Sequence, residues 1–442
     1  MSDTHYAILY DHLKVSRKEG FAFLLCAHTY AQRQPVMLVR DLITIDDAET
    51  FFDGDGFGLS DRAVDEVLNK GAASDMALIE VHKHDFGPAG FSRTDRAGLL
   101  PFAQFVLESL SGRPYGAAVW ADGEIYGEWF SLNDGRVASG PIQSFCVIGQ
   151  SLRQLIGRET RKRISNRAER QLPLVGEEGQ QTLQGLRFAI VGLGGIGSHV
   201  LQALCYLGAQ NYLLIDGDVL EETNLNRVVF AKPSDVGNPK VEVARRFVES
   251  MLPQAHVEAV LEMVGSTDGP TLDLARCDVI FGCVDDDGPR LLLNREAISG
   301  CVPYFDLATG IILSETGPLV GGRIGTTLPN GPCLVCTEEL DVEEVRSYFL
   351  SESDRQARVD HGYVQGKLDP APSVVSLNGL IANTAITELA LWLSKTKSPQ
   401  TRIDLDVVGD TRFPGPRMMP RQGVRRNPGC PECSDQTLGR AA

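Results

Sequence analysis

Three constellations in this sequence could do chemistry. The first is H-x-H-x7-S-x-x-D, made by His82, His84, Ser92 and Asp95. Two imidazoles and a carboxylate can hold Zn²⁺ with a fourth position open to water. A nearby carboxylate can then take the water's proton. Glu19, just before an apolar run, is the first candidate for that base, and Glu80 and Glu128 are the alternatives. The second constellation is G-x-G-x-x-G at Gly192, Gly194 and Gly197. Its first glycine permits a tight turn, the second lets backbone approach a phosphate, and the third lets a helix pack on a strand. The third is a pair of C-x-x-C knuckles, Cys333 with Cys336 and Cys430 with Cys433, each after a Gly/Pro turn. Four such cysteines are the ligand set of tetrahedral structural Zn²⁺. A redox reading fits less well, because neither knuckle lies in a thioredoxin-like context.

The elements that must position these groups come from the apolar patterns. Phe188 opens an apolar run into the glycine turn, a helical pattern runs from His199 to Leu207, and a second run, Tyr212 to Ile215, ends at Asp216. This is strand, loop, helix, strand, with free helix N–H groups facing an anion. The default reading is a dinucleotide site with Asp216 on a ribose hydroxyl. The residues after Asp216 argue for ATP instead. Asn224, Asn226 and Arg227 cluster past the second strand, Lys240 comes after a Gly-Asn-Pro turn, and Asp285 closes the run VIFGCV. In a doubly wound sheet these strand ends converge on one crevice. Two cations and a carboxylate suit a triphosphate with Mg²⁺ better than a nicotinamide. NAD stays as an alternative.

Upstream, Phe21–Cys26 reads as a buried strand or short core helix, and an apolar run from Pro35 continues into DLITI. A helix is expected over 59–70 and a strand from Met76 to Val81, ending at His82-Lys83-His84. Alternation then puts His82, His84 and Glu80 on one face. Asp95 falls in the first turn of a helix starting at Arg93 or Thr94. Residues 144–157 carry Val147, Ile148, Leu152 and Leu155 at helical spacing, followed by the basic run RETRKRISNRAER, which reads as a solvated helical linker. Downstream, strands and helices alternate as α/β, and 310–325 suggests added antiparallel strands. Residues 338–372 read as a mobile crossover, 373–393 as a core or dimer helix, and 407–420 as extended.

The chain has 442 residues, 43% hydrophobic, so two or three domains with real cores are expected. Its net charge of −16 disfavours nucleic acid and anionic membrane as partners. No apolar run reaches the ~20 residues of a membrane span, and no secretory signal pattern is present. A cytoplasmic location is expected, with the ten cysteines as thiols or metal ligands.

The segments GLGGIGS, DGDVLEETNLNR, VGNPKVE and CVDDDGPR, in that order, resemble the adenylating domain of the ThiF/MoeB/ubiquitin-activating family over roughly Ser165–Ser434. The resemblance implies a Rossmann-like doubly wound fold with a structural zinc. It also implies adenylation, by ATP and Mg²⁺, of the C-terminal glycine of a ubiquitin-like or sulfur-carrier protein. By the same resemblance Gly195 and Asp216 contact nucleotide, Asn224 and Arg227 hold phosphate or ribose, Lys240 neutralises phosphate and Asp285 binds Mg²⁺. Arg170 would reach into the site of a homodimer partner. Ala168 stands where the family has Tyr. No cysteine emerges as a thioester nucleophile, so a downstream conjugating partner is left open.

The H-x-H-x7-S-x-x-D pattern resembles the JAMM (MPN/JAB) metalloproteases, α/β domains that cleave after the glycine of a ubiquitin-like protein. There His82, His84 and Asp95 would bind a catalytic Zn²⁺, Glu19 would be the base and Ser92 would orient the oxyanion. Lys83 and Asp85-Phe86-Gly87 depart from the usual pattern. The expected organisation is a JAMM-type domain at 1–143, a linker at 144–164 and the adenylating domain at 165–442. Two alternatives stand beside it. The chain could activate a sulfur carrier for cofactor synthesis, and its N-terminal domain could be a non-catalytic docking module.

Overall fold

The computed structural model describes residues 1–16, 19–31, 34–52, 57–85, 87–121, 124–155, 163–265, 274–314, 317–350, 372–408, 415–421 and 423–434. The chain forms two compact units, Met1–Arg163 and Ile164–Ala442.

The first unit contains α1 (Asp3–Val15), β1 (Phe21–Ala31), β2 (Gln34–Thr44), β3 (Thr50–Phe52), β4 (Phe57–Leu59), α2 (Asp61–Ala73), β5 (Ala77–Lys83), α3 (Arg93–Ser109), β6 (Tyr115–Ala121), β7 (Glu124–Asn133), β8 (Arg136–Pro141), β9 (Phe145–Ile148) and β10 (Leu152–Leu155). Six strands form one sheet in the order β2-β1-β5-β6-β7-β8. Only β5 and β6 are parallel in it, and α3 is their crossover. The apolar run at Phe21 is a strand because both its faces are covered. Phe21, Phe23 and Leu25 pack with Val67 of α2 and Val106 of α3. Ala22, Leu24 and Cys26 pack with Leu9 and Leu13 of α1.

Two expectations for this unit are corrected. The helix over 59–70 begins at Asp61, because Leu59 ends β4 and the Ser60 hydroxyl caps α2 by accepting from the Ala63 N–H. The helix over 144–157 is the hairpin β9–β10. Phe145 and Val147 are buried while Cys146 and Ile148 are not, which is a period of two. The hairpin is tied to the chain's start: the Met1 amine donates to the Cys146 carbonyl, and Ser2 bridges Ile148. Residues 145–155 therefore belong to this unit and not to a linker. Of the basic run, 158–162 lie outside the described residues, and Asn166–Ala168 is one 3-10 turn.

The second unit contains α4 (Leu172–Gly185), β11 (Arg187–Val191), α5 (Gly195–Leu207), β12 (Asn211–Ile215), α6 (Lys240–Met251), β13 (His256–Val260), β14 (Val279–Gly282), α7 (Asp287–Gly300), β15 (Tyr304–Ser314), β16 (Gly317–Thr327), α8 (Val342–Tyr348), α9 (Val375–Leu393), β17 (Arg402–Asp406) and β18 (Arg417–Pro420). Its eight strands run β13-β12-β11-β14-β15-β16-β17-β18. The first five are parallel, and the last three extend the sheet antiparallel. Strand order reverses between β11 and β14, which is where a doubly wound sheet opens a crevice. The long apolar helix is α9, a core helix packed against α4, α5, β15 and β16. Of the expected crossover, 342–348 is α8 and 351–371 lie outside the described residues. In the 407–420 stretch, 409–414 lie outside them too. Among the described residues no helix is long and apolar enough to cross a membrane.

Candidate functional site

The crevice is built from strand ends. Val191 ends β11, and Gly192 turns the chain with φ 87°. A side chain there would press on the Cys283 carbonyl oxygen at 2.6 Å, and one at Gly197 would overlap the Gly192 carbonyl oxygen. Both positions require glycine, Gly192 by conformation and both by close approach. Gly194 caps α5 without any side-chain acceptor, and a Cβ there would meet nothing within 4 Å. The first N–H groups of α5 thus have no side-chain cap, which suits an anion. Arg227 lies against this turn, its Cδ 3.5 Å from where a Gly195 Cβ would stand.

Asp216 lies just past β12 and is buried. Its two oxygens accept from the Leu193 N–H at 2.6 Å and the Asp218 N–H at 2.8 Å. It braces the glycine turn from beneath, a role that spacing alone does not assign. Burial raises its carboxyl pKa against the pull of Lys240. Lys240, at the start of α6, donates to Asp218 at 2.7 Å and sits 3.9 Å from Asp216. Asn224 is buried, accepting from the Glu221 N–H at 3.3 Å, and Asn226 accepts from Arg227 at 3.1 Å. These two asparagines shape the loop that carries Arg227. Asp285, beyond β14, is exposed, and so is Arg170, just before α4.

Two polar residues of this region escape a reading of the motifs. Asn378 of α9 is 1% exposed and faces Gly195, with hydrogen bonds to Thr309 at 3.0 Å and Ser373 at 2.9 Å. Arg290 of α7 donates to the carbonyl of Val284, the residue before Asp285, at 2.7 Å. The motif CVDDDGPR contains Arg290, so its spacing offers a signal. Asn378 carries none, being one polar residue in an apolar helix.

The cysteines converge. Cys333 Sγ lies 3.9 Å from Cys336 and 3.7 Å from Cys430, and Cys336 lies 3.4 Å from Cys433. All four sulfurs fall within 4.8 Å of one another. Burial pushes the Cys433 thiol up to about 11. Four sulfurs at this spacing could all be thiolates only with a cation between them, so the donor set fits a thiophilic dication. Arg295 of α7 holds the second knuckle through two 2.8 Å bonds to Glu432.

In the first unit His82, His84 and Asp95 also converge, with donor atoms within 4.8 Å. The Asp95 oxygens lie 3.8 Å from His82 Nε2 and 3.2 Å from His84 Nε2. Burial by itself would raise Asp95, but the two histidines and the Ser92 N–H hold it well below the usual carboxylate range. Ser92 is the N-cap of α3: its hydroxyl accepts from the Asp95 N–H at 3.2 Å, and Asp95 accepts from the Ser92 N–H at 2.6 Å. This capping box aims Asp95 at the histidines. It also engages the hydroxyl expected to orient an oxyanion.

The three candidate bases differ. Glu80 accepts from His82 Nδ1 at 3.1 Å and from the Tyr115 hydroxyl at 2.8 Å. Glu128 accepts from Arg96 at 2.6 Å and Tyr126 at 3.0 Å. Glu19 is half-buried and feels His82, His84 and Asp95 electrostatically, with its pKa raised by burial. Lys83 pairs with Asp85 at 2.7 Å and donates to the Ser16 carbonyl at 3.3 Å. Phe86 lies outside the described residues.

Residues 167–431 match the family model described as the ThiF family. Curated relatives align as well. The chain is 35% identical over 162 residues to the SAMP-activating enzyme E1 of Haloferax volcanii, covering 37% of this chain and 57% of that one. It is 28% identical over 277 residues to the sulfur carrier protein adenylyltransferase of Thermus thermophilus, covering 61% and 90%. It is 31% identical over 176 residues to the molybdopterin-synthase adenylyltransferase of Escherichia coli, covering 39% and 68%.

Proposed function

The chain belongs to the ThiF family, and from that premise we propose that its second unit adenylates the C-terminal glycine of a sulfur-carrier or ubiquitin-like protein. The glycine carboxylate attacks the α-phosphorus of ATP. The bond from that phosphorus to the bridging oxygen breaks, and pyrophosphate leaves with the electron pair. The product is an acyl-adenylate.

The uncapped start of α5 carries this reading, because it offers N–H groups to phosphate with Arg227 against the same turn. Gly192, Gly194, Gly195 and Gly197 let phosphate reach backbone. Asp216 holds the turn, and Asn224 and Asn226 hold the Arg227 loop. Lys240 neutralises phosphate once it exchanges Asp218 for the ligand. Asp285, exposed at the switch point, would hold Mg²⁺, which when bound spreads the charge of the leaving pyrophosphate. Arg170 is assigned to the site of a second copy. The relatives' names, two adenylyltransferases and an activating enzyme, support the reaction and favour a sulfur carrier. The test is ATP–pyrophosphate exchange with carrier proteins ending in glycine. Exchange that needs the terminal glycine supports the reading. NAD binding without ATP binding refutes it.

Cys333, Cys336, Cys430 and Cys433 are proposed as a structural zinc site. The first unit supports a second reading, carried by one atom: His82 Nε2 is buried with no hydrogen-bond partner. It fits a cation held by His82, His84 and Asp95. Zn²⁺ there would acidify a bound water, and Glu19 would take the proton for cleavage after the same glycine. Zinc content decides. Two equivalents, one lost in His84→Ala and one in Cys433→Ser, support both metals. A single equivalent lost only with Cys433 makes the first unit a docking module for the carrier.

A further inference from the structure

We propose that Glu80, itself locked by Tyr115, is the positioning residue that fixes the His82 ring with Nε2 aimed at a divalent cation. The inference rests on the zinc reading of His82, His84 and Asp95 and deepens it.

Glu80 lies on β5 two residues before His82, and both oxygens of its carboxylate are engaged. Oε1 accepts from His82 Nδ1 at 3.1 Å, and Oε2 accepts from the Tyr115 hydroxyl at 2.8 Å. Tyr115 starts β6, is wholly buried and packs between Phe102 and Phe130, with ring centroids 5.9 and 6.0 Å away. The parallel register pairs Leu78 with Tyr115 and Glu80 with Ala117, so strand pairing sets the Glu80–Tyr115 approach. Phe21 and Phe91 flank the His82 ring, at 5.5 and 6.3 Å. An ionised carboxylate only accepts, so Nδ1 must carry the hydrogen of this bond. A metal-bound imidazole is neutral, so with Nδ1–H engaged the lone pair offered to a cation is that of Nε2, the buried atom without a hydrogen-bond partner. Nε2 faces Asp95 Oδ1 at 3.8 Å, and the His82 and His84 rings lie 5.1 Å apart between centroids. A lone pair enclosed this way has a cation as its natural complement. A carboxylate on the far nitrogen also raises the ring's basicity toward a metal. The same two bonds hold both Glu80 oxygens in place, which suits a positioning residue rather than a base that must reach a bound water.

The experiment is zinc affinity of the full chain by chelator competition, on the wild type, Glu80→Gln, Tyr115→Phe and His84→Ala. It is paired with ¹⁵N-histidine spectra of the zinc-loaded wild type and Glu80→Gln. Glu80→Gln keeps shape and hydrogen-bonding capacity but loses the charge. Its affinity for the first-unit zinc should fall about ten- to a hundredfold, the usual effect of such outer partners. Tyr115→Phe should weaken zinc by less, acting through Glu80. The spectra should show Nδ1 protonated and Nε2 ligated on His82, with the Nδ1 proton exchanging faster in Glu80→Gln. A merely structural Glu80 would lower the unfolding midpoint and leave affinity and proton exchange unchanged. Wild-type affinity in Glu80→Gln, with zinc lost from His84→Ala, overturns this inference alone. If His84→Ala loses no zinc, the underlying metal reading fails and the inference falls with it.

Discussion

Replacing one cysteine of the four should loosen the whole second unit. A tetrahedral zinc with Zn–S bonds of about 2.3 Å requires sulfurs about 3.8 Å apart. The sulfur distances of 3.4, 3.7 and 3.9 Å bracket that value. The two knuckles are 97 positions apart in sequence, so a metal bound by both would close a long loop. By the chain-entropy model, closing a loop of ~100 residues restricts the unfolded chain by about 4.7 kcal/mol. The surface pair Arg295–Glu432, which also tethers the second knuckle, adds at most about 1 kcal/mol. Cys433→Ser should therefore lose the zinc and about 4 kcal/mol from this unit. At roughly 2–4 °C per kcal/mol for domains near this size, its melting transition drops by about 8–16 °C. The assay is thermal unfolding followed in the second unit, with zinc measured on the same samples. A variant that has lost its zinc yet melts within about 2 °C of the parent would refute the tie.

Other substitutions separate the roles. Gly197→Ala should cost more than about 3 kcal/mol in denaturant unfolding, because its Cβ overlaps the Gly192 carbonyl oxygen and backbone cannot yield as a side chain can. Asp285→Asn should reduce pyrophosphate exchange at least ~100-fold while moving stability within about 0.5 kcal/mol, since the side chain is exposed. Glu19→Gln should abolish zinc-dependent cleavage and leave exchange intact; loss of both activities would contradict two separate sites. Lys240→Met should destabilise in a pH-dependent way. Burial raises the Asp216 pKa and Lys240 opposes that rise, so removing the cation lifts it further. A raised carboxyl favours the folded state when protonated, and that advantage is lost as pH rises through the folded value. The variant's deficit in chemical unfolding should thus be larger at about pH 8 than at about pH 4.

The short motifs were legible because their geometry is local. H-x-H on a strand places two rings on one face, C-x-x-C turns back on itself, and G-x-G-x-x-G needs only one strand-to-helix turn. The α/β alternation of the second unit was equally readable, since apolar runs fill a parallel sheet that is covered on both faces. The 144–157 segment was not. Val147, Ile148, Leu152 and Leu155 fit a helix by spacing, but the covered face of Phe145 and Val147 and the anchoring by Met1 and Ser2 make it a hairpin.

By itself, then, the sequence determined which residue types could ligate metal or cradle phosphate, and the elements that carry them. Tertiary structure decided what those residues touch. Among the candidate bases, Glu80 is engaged by Tyr115 and His82, and one oxygen of Glu128 by Arg96 and Tyr126. Asp216 became a brace for the glycine turn, and Ser92 became a helix cap, through hydrogen bonds that spacing does not specify. The reason is physical: a side chain's chemistry is intrinsic, whereas its partner and its solvent exposure come from strands and helices distant in sequence being packed together.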